Sequence, residues 1–305
     1  MARTRYASDR GLTSRMLVTM FLLGLVYVVF VGAFFVFVPE WAVVALVGAG
    51  LFLLAQYFFS DKMTLFAMRG RIVSPREAPE LHGVIDRICA MSDAPKPKVA
   101  IADSDVPNAF ATGRNQKNAV VCVTTGLLRR LDPVELEGVL AHEMAHVAHR
   151  DVAVMTIASF LGILAGLITR FGLYAGLWGG FGSRNRDQNT GLILLAVVAA
   201  SALAYAISFL LTRALSRYRE LSADRAAALL TGRPSALASA LTKVTGDIAR
   251  IPTRDLRSAQ AFNAFFFTPA LGRGVSVSSL FSTHPPLEKR LAQLSKISDQ
   301  LSRGV

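Results

Sequence analysis

Residues 142–146 read HEMAH, with His142 and His146 four positions apart. On an α-helix that spacing puts both imidazoles on one face, about 40° apart and one turn separated, within reach of one metal ion. Glu143 stands beside the first histidine, where it can take a proton from a metal-activated water without being a ligand. Two neutral imidazoles and an open coordination position suit Zn²⁺. A catalytic zinc site needs a third protein ligand. Arg219-Glu220-Leu221-Ser222-Ala223-Asp224 places Glu220 and Asp224 four apart, on one helical face. Glu220 is either that third ligand or part of a solvated charged face beside Arg217, Arg219 and Arg225. Asp224 would then accept the N–H of a ligand histidine and fix its tautomer.

The elements that carry these residues are unusually apolar. The chain of 305 residues is 52% hydrophobic, with a mean hydropathy of +0.43. Residues 16–38, 41–59 and 190–212 carry no Lys, Arg or Asp. Residues 152–169 form a further apolar run, followed by Arg170 about 27 Å along a helix from Val152, where it can snorkel to headgroups. Four transmembrane helices are expected. The first is an anchor and not a cleaved leader, because its apolar core exceeds the ~7–15 residues of a signal sequence.

Basic residues set the orientation. Arg3, Arg5, Arg10 and Arg15 precede the first run; Lys62, Arg69 and Arg71 follow the second; Arg213, Arg217, Arg219 and Arg225 follow the fourth. Both termini and the polar segments are therefore expected in the cytoplasm, in a multi-pass protein of the plasma membrane. The segments are residues 1–60 (tail and two spans), 61–151 (first part of a cytoplasmic domain with the HEMAH helix), 152–212 (two spans) and 213–305 (second part, with Glu220). The net charge of +12 fits attraction to anionic lipid. Nucleic acid is excluded as a partner, since no basic groove with interleaved aromatics is present. Cys89 and Cys122 read as core packing in a reducing compartment.

Within the polar segments, Ser74-Pro75-Arg76-Glu77 predicts a helix running to about Met91. Val99–Ala102, Ala109–Thr112 and Ala119–Thr124 predict short strands. Asp132-Pro133-Val134-Glu135 predicts the start of the HEMAH helix, continuous with the third span. The fourth span runs on without a break to a stop at Gly232-Arg233-Pro234. Ser235–Arg250 and Thr283–Ser302 predict two more helices, the last capped at Thr283. His82 reads as a surface histidine, and His149 as a surface or supporting one.

HEMAH, PNAFATG (107–113), SRYRELSAD (216–224) and STHPP (282–286), with two apolar runs before HEMAH and two between it and Glu220, resemble the HtpX family of membrane zinc metalloproteases. The resemblance implies a mostly α membrane protein, with four spans and a cytoplasmic α+β zincin-like domain. It implies one Zn²⁺ per subunit held by His142, His146 and Glu220, with Glu143 as base and Asp224 supporting a ligand. His284 is then a candidate donor to the oxyanion, with Tyr218 and Arg219 as rivals. Asn108, Ala109 and Phe110 would form a sheet edge to which an extended substrate adds as a strand. The substrates implied are misfolded or damaged membrane proteins. The alternatives are a catalytically silent membrane scaffold and a processing protease with one narrow substrate.

Overall fold

Proline, glycine and capping side chains decide where the helices begin and end. The computed structural model describes residues 6, 9–37, 39–113, 115–149, 151, 154–155, 164–166, 169, 188–248 and 284–303. Two helices open the chain, α1 (Arg10–Phe37) and α2 (Pro39–Ala67). Strand β1 (Gly70–Ile72) follows, then α3 (Pro79–Ser92), β2 (Lys98–Ala102), β3 (Ala109–Thr112), β4 (Val120–Thr124), the short α4 (Thr125–Leu128) and α5 (Pro133–Ala148). Helices α6 (Gln188–Thr231), α7 (Pro234–Ile248) and α8 (Leu287–Ser302) complete the described elements.

Two compact units emerge from the packing. One comprises Met1–Leu12, Phe58–Ala153 and Ser216–Val305; the other comprises Thr13–Tyr57 and Val154–Leu215. In the second unit, Leu23, Phe30, Ala165 and Ala204 make a small buried cluster, while Leu17, Phe21, Val28, Val29 and Leu203 are exposed. Among the described residues two helical stretches are long and apolar enough to cross a membrane, Arg10–Gly32 and Leu195–Thr231. The latter has 37 residues and rises roughly 55 Å, against a bilayer core of ~30 Å. Its later part, from Ser216, belongs to the first unit. Helix α2 contributes a shorter apolar stretch, Gly50–Phe59. The third predicted span lies largely outside the described residues.

The first unit is built on a four-stranded sheet of order β1-β2-β4-β3. β2 and β4 run parallel, and β3 returns antiparallel with Ala111 opposite Val121. Alternation sends Val99, Val121, Val123, Ala109 and Ala111 into the main core. That core also takes Ile85 and Ile88 of α3, Val139 and Leu140 of α5, Ala223 and Ala227 of α6, Leu237 and Leu241 of α7, and Leu294 of α8. The opposite sheet face buries Ala100, Phe110, Val120 and Cys122 against Leu65 and Met68.

Asp132 realises the predicted capping box. Its side chain accepts from the Val134 and Glu135 amides, and the Glu135 carboxylate accepts from the Asp132 amide. Gly138 lets α5 approach α7 closely, since a Cβ there would lie 3.3 Å from the Leu237 backbone. Gly232, at φ +64°, ends α6, and Pro234 starts α7.

Two helix starts differ from expectation. Ser74–Glu77 forms a turn, with the Ser74 amide donating to Glu77 at 2.7 Å, and α3 begins only at Pro79. A proline disfavours helical backbone at the residue before it, so Ala78 (φ −140°, ψ 65°) cannot carry a helix through. Likewise Pro286 is extended (φ −54°, ψ 144°), and α8 starts at Leu287 rather than at Thr283. His82 is buried, not on the surface, with its Nε2 3.1 Å from the Val73 carbonyl oxygen.

Candidate metal centre

The capping box fixes the start of α5, so the helical period aims His142 and His146 the same way, with Nε2 atoms 3.3 Å apart. Across from them, Glu220 on α6 places Oε2 3.5 Å from His142 Nε2 and Oε1 3.4 Å from His146 Nε2. One turn further along α6, Asp224 Oδ1 lies 2.9 Å from His142 Nδ1. All four side chains are buried. His142, His146 and Glu220 form the group, among the described residues, able to share a metal ion.

Two physical tests support a divalent cation here. Donors on a tetrahedron with bonds of ~2.0–2.1 Å lie roughly 3.3–3.4 Å apart; the two imidazole nitrogens are 3.3 Å apart, and each has one of the two Glu220 oxygens at 3.4–3.5 Å. Charge gives the second. Glu143, Asp151, Glu220 and Asp224 face Arg219 and Arg290 in the same cluster. Four acidic side chains against two guanidiniums leave an excess of acidic groups, which suits a bound cation. The same field acts on protons. Burial opposes a charged His146, but hydrogen bonds to Asp151 and Glu220 outweigh it and bring its pKa up to about 10.

Glu143 sits beside the donors without joining them. Its Oε2 accepts the Ala111 amide at 3.0 Å. Burial pushes its carboxyl up, against the pull of His142 and His146. Strand β3 is a sheet edge. The Asn108 carbonyl accepts from the Thr124 amide, inward, so by alternation the main-chain groups of Ala109 and Ala111 point outward. The side chains of Asn108, Ala109 and Phe110 are buried.

His284, buried, places Nδ1 3.0 Å from Glu220 Oε2. Its two rivals point elsewhere. The Tyr218 hydroxyl lies where a Cβ on Gly11 would be only 2.5 Å away, and Arg219 Nε pairs with Asp151 at 3.0 Å. His149 caps the end of α5 and meets the ring of Tyr6 edge-on, with centroids 6.4 Å apart.

The sequence pattern does not mark four further participants. Asp151, fully buried, holds His146 Nδ1 at 2.7 Å. Burial raises its pKa, yet the charge of Arg219 and the bond from His146 bring it below the usual carboxylate range. Arg290 on α8, also buried, donates Nε and Nη2 to the two carboxylate oxygens of Asp224 at 2.7 and 2.6 Å. The N-terminal tail contributes twice. The buried Tyr6 hydroxyl donates to the Ala141 carbonyl at 3.0 Å, and Asp9 accepts from the Ser222 hydroxyl at 2.8 Å.

Residues 75–298 match the family described as Peptidase family M48. The chain is 65% identical to "Protease HtpX homolog 1" of Streptomyces coelicolor, over 99% of this chain and 98% of that protein. It is 51% identical to "Protease HtpX homolog 2" of Methanosarcina mazei, over 98% and 100%. In fold it resembles Ste24p of S. mikatae, with a TM-score of 0.52 at 18% identity, covering 94% of this chain and 67% of that one.

Proposed function

Because the chain belongs to the HtpX proteases of peptidase family M48 and is a membrane metallopeptidase, we propose that it is a zinc endopeptidase of the cell membrane. Its proposed substrates are cytosol-exposed segments of misfolded or damaged membrane proteins. The observation that carries the zinc reading is the buried convergence of His142 Nε2, His146 Nε2 and the Glu220 carboxylate, with one carboxylate oxygen 3.5 Å from the first imidazole nitrogen and the other 3.4 Å from the second. Zinc held by these residues would supply a Lewis acid that polarises the scissile carbonyl and lowers the pKa of water toward ~7.

The protein's own residues do the rest. Glu143 takes the proton of the attacking water and returns it to the leaving amine. The Ala111 amide holds that carboxylate at 3.0 Å, so the base is aimed from the strand that receives the substrate. A peptide paired along the outer edge of β3 would meet the main-chain groups of Ala109 and the carbonyl of Ala111, whose amide is held by Glu143, and so lie beside that carboxylate. Main-chain pairing asks little of the substrate's sequence, which suits a protease acting on many damaged proteins. His284 is the proposed donor to the negative charge developing on the carbonyl oxygen. Asp224, 2.9 Å from His142 Nδ1, is proposed to orient that ring so that Nε2 faces Glu220.

Four spans, with the first unit and both termini in the cytoplasm, follow from the lysine and arginine distribution. Reporters fused after Ser60 and at Val305 should read cytoplasmic, and one between Gly179 and Asn189 external. A cytoplasmic signal from that loop removes the third and fourth spans.

Glu143→Gln tests the reaction. The variant should keep its zinc and lose about 10²–10⁴-fold in cleavage of a membrane-protein substrate. A variant that cuts near the wild-type rate would falsify the role of Glu143 and leave the scaffold alternative standing.

A further inference from the structure

The donor triangle contains two histidines, and a histidine ligand works only if its ring is turned correctly and its proton sits on the far nitrogen. For His142 the support comes from α6, through Asp224. For His146 it comes from Asp151, five residues further along the chain. Asp151 Oδ2 lies 2.7 Å from His146 Nδ1 and forms an ion pair with Arg219, 3.0 Å from its Nε. Asp151 is fully buried and Arg219 nearly so. Arg219 Nη2 also lies 3.4 Å from His146 Nδ1. With Nδ1 turned to this pair, the far nitrogen Nε2 faces the other ligands, 3.4 Å from Glu220 and 3.3 Å from the other imidazole.

Resting on the zinc reading above, we propose that Asp151 and Arg219 are positioning residues for His146, fixing its tautomer and its ring. Arg219 is also the residue before Glu220. The same turn of α6 thus presents one ligand and braces another. The arrangement mirrors Arg290–Asp224–His142, where the arginine grips both carboxylate oxygens of its aspartate. Each imidazole is backed by a carboxylate, and each carboxylate by a guanidinium. A mere structural ion pair would not need its aspartate aimed at a ring nitrogen.

The test uses the full-length protein in detergent, carrying Glu143→Gln so that it does not cut itself. Zinc affinity is measured by competition with a chelating dye, and the visible bands of bound Co²⁺ report the donor geometry. Asp151→Ala should weaken zinc about 10–100-fold and change the Co²⁺ bands. Asp151→Asn keeps an acceptor for Nδ1 without the charge and should fall between. Arg219→Ala should weaken zinc less than Asp151→Ala, and Arg219→Lys should restore part of the loss. Asp247→Asn breaks the Arg130–Asp247 pair at 3.0 Å, away from the site, and should change neither readout. If Asp151→Ala and Arg219→Ala bind zinc like the parent with unchanged Co²⁺ bands, the positioning role is wrong while the zinc reading stands. If Asp151→Ala does not fold, Asp151→Asn with parental affinity and bands overturns the positioning role in its place. If the parent itself binds no zinc, or Glu220→Ala binds it as well as the parent, the zinc reading falls and this proposal with it.

Discussion

The two units of the molecule obey opposite rules about what is hidden. In the unit that holds the site, acidic, basic and histidine side chains from Glu135 to Arg290 are buried, and carboxylates there meet cationic or imidazole partners. In the other unit many large apolar side chains are outside: Phe21 is 72% exposed and Val28 67%. A water-soluble protein does not show contiguous surfaces of this kind without a partner. The second unit is therefore built for hydrocarbon, and the first for a charge. One unit is stabilised by its solvent, the other by compensation inside.

The largest expected effect comes from breaking that compensation. Arg290→Ala leaves Asp224 buried without its guanidinium and should cost about 3–5 kcal/mol of stability. It should also weaken zinc, through His142. Thermal unfolding in detergent checks the first, and metal content the second. A midpoint like that of wild type would mean that water replaces the arginine.

A sharper comparison uses one substitution in both units. Phe21→Lys puts an ammonium where lipid is expected and should oppose insertion by about 2.5–3.5 kcal/mol. Leu301→Lys, on a residue 38% exposed near the end of α8, should stay within about 0.5 kcal/mol. The checks are membrane-inserted yield for the first and thermal stability for the second. Equal effects would erase the distinction between the units.

The smallest effect concerns the thiols. Burial pushes Cys122 up to about 12 and Cys89 up to about 11. Both therefore remain thiols well above neutral pH, and reactive thiolate is scarce at pH 8. Iodoacetamide at pH 8 should label the folded protein far more slowly than the denatured chain. Mass spectrometry of each cysteine reads this, with Cys122, the more buried, the slower.

Much of the site is legible in the sequence. His142 with His146, and Glu220 with Asp224, are both four apart, and the helix period turns that spacing into a shared face. The Asp132 capping box marks the start of α5. The remaining parts lie outside that period. On a straight helix Asp151, five residues beyond His146, would point about 140° away; the contact exists because α5 ends at Ala148 and the chain turns at His149. Arg290 lies 66 residues from Asp224, and no local pattern marks such a pair. Strand β1 has only three residues, too few to alternate. Ser74 and Thr283 resemble helix caps, but the prolines that follow them decide where α3 and α8 begin. Tyr6 and Asp9 sit in a tail whose composition is dominated by arginines that speak only of orientation.

The dispersal of these parts along the chain has a consequence for biosynthesis. Tyr6 bonds to the helix that bears His142, Glu220 lies more than two hundred positions later, and Arg290 arrives with the last helix. At ~5–20 residues per second, the 305 residues take roughly 15–60 s to make. Until α8 docks, His142 lacks its full backing and Asp224 lacks its counter-charge. A nascent chain arrested before Arg290 is expected to bind zinc weakly and to cut nothing, which metal content and cleavage by arrested chains would check. Competence is then expected only once α8 has been made, timed by the order of translation.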